Sequence, residues 1–454
     1  MKGLTPSAIA ECCGGKLYCG DEIKNVEISG ASADSRAIGC GYMFIPVKGN
    51  RVDGHDFIPQ VFEKGAMITL TEKKDVREKY PCILVESTLE AIKAIAAFYI
   101  RQLDIKVVAI TGSVGKTSTK EFAAAVFSGR FKTKKTIKNL NNAIGLPYSI
   151  FTLEEDDEIA VLEMGINHFG EMRELSKIAP PDIAIITNIG TCHLEFLGDR
   201  DGVLKAKTEM FENLKENGTV ILNGDDDKLR KIEEVNGIKP VFVGLDPSSD
   251  VYADNIVSRG LLGMKCDVHY KDMVFELEIS KPGIHMVTNA LEAVAAALSV
   301  GMTPEEIKEG LGSCKGIEGR LNIIKTDSVT VIDDCYNANP MSMKASCEVL
   351  SRAEGRKVAV LGDMGELGDD SELLHREVGK AICSMNIDVV AAVGEKAGLI
   401  AEEVSENPEI TVFRMKDADD FIEKKNSVIV DGDTVLIKAS HSMNFDKIVK
   451  ALTD

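Results

Sequence analysis

One stretch of the chain, residues 107–127, constrains the fold more than any other. It reads VVAITGSVGKTSTKEFAAAVF: an apolar run of strand length, a glycine-containing loop and a helical pattern. Glycine lets the backbone approach phosphate oxygens, and the N–H groups of the loop and of the helix N-terminus then point at the anion. Lys116 is placed to neutralise the β- and γ-phosphates and Thr117 to ligate Mg²⁺. The short pattern G-x-x-G-K-T therefore predicts a nucleotide site, the alternative being a plain turn between strand and helix.

Apolar runs of strand length recur along the rest of the chain. They lie at 106–110, 158–164, 182–189, 219–223, 329–333, 357–361, 388–393 and 434–439. Such runs, separated by helical stretches, are typical of parallel sheets covered on both faces. A length of 454 residues suggests about three domains. We predict a three-domain α/β protein with a small N-terminal α/β domain (1–84), a central parallel-sheet ATPase domain of the phosphate-loop type (85–313) and a C-terminal Rossmann-like α/β domain (314–454).

Three shorter features complete this outline. Residues 42–50 favour a strand that ends in a turn, and residues 89–103 favour a helix. A glycine-rich stretch, 312–320, follows the helical pattern at 288–301 and marks the break between the second and third domains.

Two potential metal ligands follow apolar strands. Glu163 ends the run IAVLEM, and His193 follows the run DIAIITNI. The carboxyl ends of parallel strands form the crevice where α/β folds bind ligands, and a carboxylate there suits Mg²⁺. Taken alone, however, Glu163 is equally well a loop charge, and a lone histidine is more often a hydrogen-bonded loop residue. The residues alone assign a solvated helix face or turn chemistry to another set: Lys205, Lys207, Asn139, Asn141 and Asn142.

The charge balance limits the partners of this chain. It has 53 Lys and Arg against 72 Asp and Glu, a formal net charge of −19. This excludes a nucleic-acid coat and an anionic membrane surface, whereas one local positive pocket can still hold a small anion. No apolar run approaches the roughly 20 residues of a membrane helix. The 11 cysteines form no CxxC pair, which favours a reducing cytoplasm. We expect a cytoplasmic protein with no nucleic-acid partner and no membrane insertion.

Taken in order, several segments resemble the Mur ligase family, the ATP-dependent amide-forming enzymes of peptidoglycan synthesis. They are TGSVGKT (111–117), NNAIGLP (141–147), EMG (163–165), TNIGTCHLE (187–195), KAKTE (205–209), GIHMVTNA (283–290) and GR (319–320). Three further stretches resemble the members that add a dipeptide: 33–58, 333–343 (DDCYNANPMSM) and 360–371 (VLGDMGELGDDS). The resemblance implies a monomer that joins D-alanyl-D-alanine to UDP-N-acetylmuramoyl-tripeptide, using ATP and an acyl-phosphate intermediate.

The resemblance also assigns roles to residues. It implies that Thr117, Glu163 and His193 bind Mg²⁺, and that Lys207 becomes carbamylated and holds a second Mg²⁺. Lys116, His193 and Lys207 are the expected catalytic residues. The expected ATP-binding residues are Thr111, Gly112, Ser113, Val114, Gly115, Lys116, Thr117, Ser118, Asn142, Asn289, Arg320 and Asp334. The expected contacts of the UDP-linked substrate are Ser35, Arg36, Lys48 and Gly49, and those of the dipeptide are Tyr336, Asn337 and Asn339.

One segment departs from the family pattern. Where the family usually reads Lys-Gly-Ser-Arg-Ser, this chain has KASHS at 438–442. His441 lacks the permanent charge and the two-pronged geometry of arginine, so any phosphate or carboxylate contact of that arginine is in question here. Nearby, Asn339 followed by Pro340 predicts a helix start, and we expect this cap and a binding loop to coexist.

Other activities remain open from the sequence. A ligase that adds the third stem residue and folylpolyglutamate synthase are alternatives within the family. A phosphate-loop protein that only hydrolyses nucleotide is an alternative from a different class, although no guanine-reading Asn-Lys-x-Asp segment is present. The sequence does not distinguish lysine from diaminopimelate at the third stem position.

Overall fold

The computed structural model describes residues 1–49, 52–314 and 319–453 and confirms the three-domain α/β fold class. The N-terminal sheet has the strand order β1-β5-β4-β3-β2, in which β1 is antiparallel to β5 and the other pairs are parallel. Its strands are β1 (Lys16–Tyr18), β2 (Gly30–Ser32), β3 (Tyr42–Phe44), β4 (Ile68–Thr71) and β5 (Cys82–Leu84). Its helices are α1 (Pro6–Cys12) and α2 (Ile58–Glu63), and α3 (Thr88–Gln102), which lies within the range predicted for the central domain, packs on both α1 and the central helices.

Two predictions for the N-terminal third can be compared with the structure. The helix predicted at 89–103 is α3, which begins after the Ser87 side chain accepts a hydrogen bond from the Glu90 N–H. Of the strand predicted at 42–50, only β3 forms, because Pro46 has no N–H to donate to a neighbouring strand. The last residue of that stretch lies outside the described residues.

The central sheet has nine strands in the order β14-β13-β12-β11-β10-β9-β6-β8-β7. The seven strands from β12 to β7 are parallel, and β13 and β14 extend the sheet in antiparallel fashion. The strands are β6 (Lys106–Thr111), β7 (Thr133–Lys135), β8 (Ile159–Glu163), β9 (Ile183–Ile186), β10 (Thr219–Asn223), β11 (Val241–Gly244), β12 (Val251–Ser258), β13 (Met264–Tyr270) and β14 (Met273–Ile279). The helices are α4 (Lys116–Phe127), α5 (Gly145–Ile150), α6 (Glu171–Ile178), α7 (Leu194–Leu197), α8 (Arg200–Thr208), α9 (Ile284–Ser299) and α10 (Pro304–Gly312).

The C-terminal sheet has six strands in the order β15-β16-β20-β17-β18-β19, with only β15 antiparallel among the described strands. Its strands are β15 (Asn322–Lys325), β16 (Thr330–Asp333), β17 (Lys357–Gly362), β18 (Val389–Val393), β19 (Thr411–Met415) and β20 (Thr434–Lys438). Its helices are α11 (Pro340–Ser351), α12 (Ser371–Ile382), α13 (Ala397–Val404), α14 (Ala418–Val428) and α15 (Asp446–Thr453).

Both outer domains pack against the central one. Helix α3 packs on α5 and α6, and the Tyr99 hydroxyl donates to the Leu153 carbonyl at 2.6 Å. On the other side, α7 packs against a short 3-10 helix, Gly368–Asp370. The exact domain boundaries stay a prediction, and residues 315–318 of the predicted break lie outside the described residues. In the described parts of the chain no helix combines the length and apolarity needed to cross a membrane.

Candidate active site

The phosphate loop joins β6 to α4. Two of its glycines sit where a side chain would not fit: a Cβ on Gly112 would lie 1.9 Å from Thr187 Oγ1, and one on Gly115 would lie 2.6 Å from Asn289 Oδ1. Gly115 also caps α4 with φ +87°, which glycine adopts without a Cβ clash. The Lys116 ammonium turns back over the loop and donates to the Gly112 carbonyl at 2.7 Å. The strand, the turn and the helix N-terminus thus have the arrangement that binds phosphate.

Glu163 places a partly unsatisfied carboxylate beside this loop. It ends β8 and pairs in register with Ile110 of β6, and it is 2% exposed. Its Oε1 accepts a hydrogen bond from Asn141 Nδ2 at 2.8 Å. Its Oε2 is buried without a hydrogen-bond partner among the described residues, and it lies 3.7 Å from the Lys120 ammonium. A buried anionic oxygen without a hydrogen bond is costly, so this position suits a hard divalent cation.

His193 lies where the central and C-terminal domains meet. It follows β9 in a left-handed backbone conformation, φ +53°. Its Nδ1 lies 2.6 Å from Oε2 of Glu366, although the ring nitrogen is not aligned for a hydrogen bond. The imidazole lowers the pKa of Glu366. Because Glu366 follows β17, this contact joins the two domains at the edge of the site.

Lys207 is a buried amine with no counterion. It lies on α8, is 1% exposed, and has no hydrogen-bonding or ionic partner among the residues that the structure describes. Burial lowers its pKa to about 8, the nearby Lys116 ammonium acts in the same direction, and Cys192 opposes them. An appreciable share of the amine is therefore uncharged near neutral pH. Lys205, on the same helix, is exposed, as the sequence indicates for a solvated face.

A cavity of about 610 Å³ between the central and C-terminal sheets brings most of the predicted residues together. Those that line it are Ser113, Val114, Gly115, Lys116, Thr117, Ser118, Asn142, Glu163, His193, Asn289, Arg320, Asp334, Tyr336, Asn337 and Asn339. Thr111, Gly112 and Lys207 do not line this cavity.

The four residues predicted to contact the UDP-linked substrate lie in the N-terminal domain, outside this cavity. Arg36 pairs with Asp34 at 2.8 Å, and the Ser35 carbonyl accepts a hydrogen bond from Lys64. The Gly49 N–H donates to the Val52 carbonyl at 3.0 Å, and Lys48 forms an isolated antiparallel β-bridge with Asp53. No ligand contact tests these assignments, and they stay predictions.

Residues of the C-terminal domain form the opposite wall. The Lys438 ammonium lies 2.6 Å from Oδ2 of Asp334, which is therefore already engaged within its own domain. The Arg320 guanidinium lies 4.1 Å from the centre of the Tyr336 ring, and the His441 ring lies 5.8 Å from it on centroids. Arg320 and Tyr336 therefore line the cavity together, and the charge of Lys438 is offset by that of Asp334.

The predicted start of α11 is confirmed. The Asn339 side chain accepts a hydrogen bond from the Ser342 N–H, and the Ser342 side chain accepts one from the Asn339 N–H. Pro340 occupies the first turn. Asn339 lines the cavity as well, so the helix cap and the cavity wall coexist in one segment.

Sequence reasoning did not assign a role to many of the residues that line the cavity, and four of them are informative. Asn141, rather than Asn142, contacts Glu163, whereas Asn142 caps its own turn by accepting from the Gly145 N–H. His285 also lines the cavity, and burial lowers its pKa to about 4. Asn141 and His285 belong to the motifs 141–147 and 283–290. These motifs indicated which segments face the site, but not which of their residues do. Lys438 and Glu366 also lie in stretches quoted above, 438–442 and 360–371, but their place at the cavity depends on tertiary packing, which no local pattern reveals.

Three family models match the chain. They are the Mur ligase middle domain over residues 110–297, the Mur ligase glutamate ligase domain over 319–441, and the Mur ligase family catalytic domain over 27–100. The chain belongs to the Mur ligase family. The resemblance inferred from the ordered motifs is therefore confirmed.

Relatives match over nearly their full length. The UDP-N-acetylmuramoyl-tripeptide--D-alanyl-D-alanine ligase of Bacillus subtilis (strain 168) is 37% identical, covering 99% of this chain and 98% of its own. Crystal structure I of MurF from Acinetobacter baumannii has a TM-score of 0.90 at 32% identity, covering 99% and 98% of the two chains. The MurF ligase of Thermotoga maritima, solved with ADP, has a TM-score of 0.82 at 31% identity, covering 93% and 96%.

Proposed function

We propose that this chain is an ATP-dependent ligase that joins D-alanyl-D-alanine to UDP-N-acetylmuramoyl-tripeptide through an amide bond, in peptidoglycan precursor synthesis. The observation that carries the proposal is the single cavity in which the phosphate loop, Glu163 and His193 face the C-terminal segment around Tyr336. The Bacillus subtilis relative carries both peptide substrates in its name, and the Thermotoga maritima relative binds ADP.

The reaction has two steps. The terminal carboxylate of the tripeptide attacks the γ-phosphate of ATP, which yields an acyl phosphate and ADP. The amine of D-alanyl-D-alanine then attacks the acyl carbon, and inorganic phosphate leaves. The first step brings two anions together, so positive charge at the phosphate stabilises the transition state. Lys116 supplies such charge, because its ammonium already lies over the loop.

The residues present fit a Mg²⁺ site. Thr117, Glu163 and His193 would hold the ion, and the buried Oε2 of Glu163 without a hydrogen bond supports this assignment. Mg²⁺ bound there supplies positive charge that polarises the phosphoryl group. A second ion would require an anionic ligand at Lys207. Carbamylation of its uncharged amine by CO₂ would create one, and the burial of Lys207 without a counterion supports this modification.

The C-terminal domain would protect the intermediate. An acyl phosphate reacts with water, so the site has to exclude water before the intermediate forms. The two domains approach each other closely at two places beside the cavity. Glu366 lies against His193. The end of the Met341 side chain packs over Gly190, where an added Cβ would lie 3.1 Å from it. These contacts support a closing role for the C-terminal domain.

The substrate ends are assigned by the same proposal. The uridine end would lie in the N-terminal domain, at Ser35, Arg36, Lys48 and Gly49. The dipeptide would lie at Tyr336, Asn337 and Asn339, beside the Arg320 guanidinium. We also propose that the enzyme acts as a monomer in the cytoplasm.

A product assay tests the function. The purified chain is given ATP, Mg²⁺, D-alanyl-D-alanine and a UDP-linked tripeptide with either lysine or diaminopimelate at the third position, and the product is identified by mass. We expect a product that requires both peptide substrates, together with stoichiometric ADP. A parallel reaction offers free lysine or diaminopimelate with the UDP-linked dipeptide, and ligation of that amino acid would point to another member of the family. ATP hydrolysis at full rate without either peptide would contradict ligase activity altogether.

A further inference from the structure

The C-terminal domain reaches the central site through a loop at residues 363–368, which follows β17. Two hydrogen bonds from the rest of that domain fix its backbone. The Met364 N–H donates to His375 Nε2 at 3.0 Å, and the Gly365 N–H donates to Ser440 Oγ at 2.7 Å. Anchored in this way, the loop presents its next side chain in a defined position.

That side chain is Glu366, which contacts His193 of the central domain. Both residues have an uncommon backbone conformation. Glu366 has φ +58° and His193 has φ +53°, a region that residues with a Cβ seldom adopt. Such conformations persist where the surrounding structure holds them, and they cluster at functional sites. Gly368 packs beside the same segment, since a Cβ on it would lie 3.5 Å from Cα of Glu195. The two left-handed residues therefore meet at the interface, where the side chain of His193 is 18% exposed and that of Glu366 is 50% exposed.

We propose that Glu366 is a positioning residue for His193, supplied across the interface by the C-terminal domain. The inference rests on the proposed function, in which His193 binds Mg²⁺. Glu366 Oε2 lies 2.6 Å from Nδ1, so Nε2 remains as the ring nitrogen for a metal ion in the cavity that both residues line. A carboxylate in that position fixes the orientation of a metal-binding histidine and raises its basicity.

One consequence distinguishes this role from simple domain adhesion. The metal site of the central domain is complete only when the C-terminal loop is in place. Loss of the Glu366 carboxylate therefore weakens metal binding itself, and not only the association of the two domains.

The test measures Mn²⁺ bound in the presence of ADP, by electron paramagnetic resonance, with no peptide substrate. We expect Glu366→Ala to weaken Mn²⁺ binding by about tenfold to a hundredfold, and Glu366→Gln, which keeps an oxygen acceptor, to recover part of the loss. Asp369→Asn is the matched control, because it removes an exposed charge three residues away. Glu366→Gly guards against misfolding, since glycine suits the left-handed backbone.

A double-mutant cycle decides whether Glu366 acts through His193. In a His193→Ala background, Glu366→Ala is expected to have no further effect on Mn²⁺ affinity. An equal loss in both backgrounds overturns the proposal, as does wild-type affinity in both Glu366→Ala and Glu366→Gly. Because the readout needs no ligation, it stays decisive if the product assay contradicts the proposed ligase.

Discussion

At the scale of single residues, Lys207 lies in an environment unlike that of an ordinary lysine, because it is 1% exposed and burial lowers its pKa to about 8. We expect Lys207→Ala to lower turnover by at least about a hundredfold, because it removes the proposed carbamate and with it an electrostatic contribution to phosphoryl transfer. Steady-state ADP release measures the loss. Lys205→Ala is the control on the same helix, and its exposed position predicts nearly unchanged activity.

Chemical rescue distinguishes a carbamate from an ordinary ammonium. Short carboxylic acids can occupy the space that Lys207→Ala opens and replace the carbamate oxygens, so they should restore part of the activity. Wild-type turnover in the variant would remove the carbamate from the mechanism.

Glu292 provides a second residue-scale prediction, on stability. It is fully buried in α9, where it accepts a hydrogen bond from Thr119 Oγ1 at 2.7 Å. Burial raises its pKa from 4.5 to about 8. The folded protein thus keeps a proton that the unfolded chain releases, so this residue lowers the free energy of unfolding as pH rises from about 4.5 to about 8, by at most about 1.4 kcal/mol per pH unit.

The variant Glu292→Gln isolates this effect, since an amide keeps the acceptor for Thr119 and does not titrate. Urea unfolding at several values from about pH 5 to about pH 8 should show the variant gaining stability relative to the wild type as pH rises. A difference between the two proteins that is independent of pH would show that Glu292 is ionised in the folded state.

At the scale of elements, the first turn of α4 depends on one glycine for two separate reasons. Gly115 and Gly170 both begin a helix in the left-handed conformation, with φ +87° and +86°. A Cβ on Gly170 meets nothing within 4 Å, whereas one on Gly115 meets Asn289 at 2.6 Å. Gly170→Ala is therefore a matched control that carries the backbone cost alone, about 1–2 kcal/mol.

We expect Gly115→Ala to lower the free energy of unfolding by the same backbone cost. It should also weaken ADP binding by about tenfold or more, because the added Cβ displaces Asn289 from the loop. Urea unfolding and calorimetric titration with Mg²⁺ and ADP measure the two effects separately. Equal nucleotide affinity in the two variants would contradict a role for the Gly115–Asn289 contact.

The same elements show what sequence alone predicts. Strand β10 begins and ends as predicted, β6 and β17 differ from their predicted bounds by one residue at one end, and β8 differs by one residue at each end, because each is a continuous apolar run buried in a parallel sheet. Strands β12–β14 were not predicted. Burial alternates along β13 and β14, since α9 covers one face of this antiparallel extension, and no apolar run marks it.

Prediction of the site was limited in a similar way. The phosphate loop, Glu163 and His193 lie at strand ends, which topology brings to one edge of the central sheet. The contact of Glu366 with His193 depends on how the third domain docks, and docking is set by packing across the whole molecule. The sequence therefore predicted residues on both sides of the cavity, such as Glu163 and Tyr336, but not the contact between the two domains.

At the scale of the whole molecule, a chain with a net charge of −19 is proposed to bind two anionic nucleotides. Positive groups at the site, such as Lys116 and a bound Mg²⁺, then have to outweigh the negative electrostatic potential of the whole chain. We expect removal of Mg²⁺ with a chelator to weaken ATP binding by more than about tenfold, and far more than a several-fold increase in salt, because a buried site is screened less than the surface. Calorimetric titration under the two conditions tests this. A stronger response to salt than to Mg²⁺ would indicate that surface charge governs binding.

The space around Gly112 has a consequence for inhibitor design. A Cβ at this position would lie 1.9 Å from Thr187 Oγ1, so even alanine does not fit without rearrangement. Gly112 does not itself line the cavity, but a compound anchored on the neighbouring backbone of residues 113–116, which does, would depend on a turn in which Gly112 has no room for a side chain. Resistance would then have to arise elsewhere, at side chains such as Met341, which is 40% exposed and faces the cavity from the third domain.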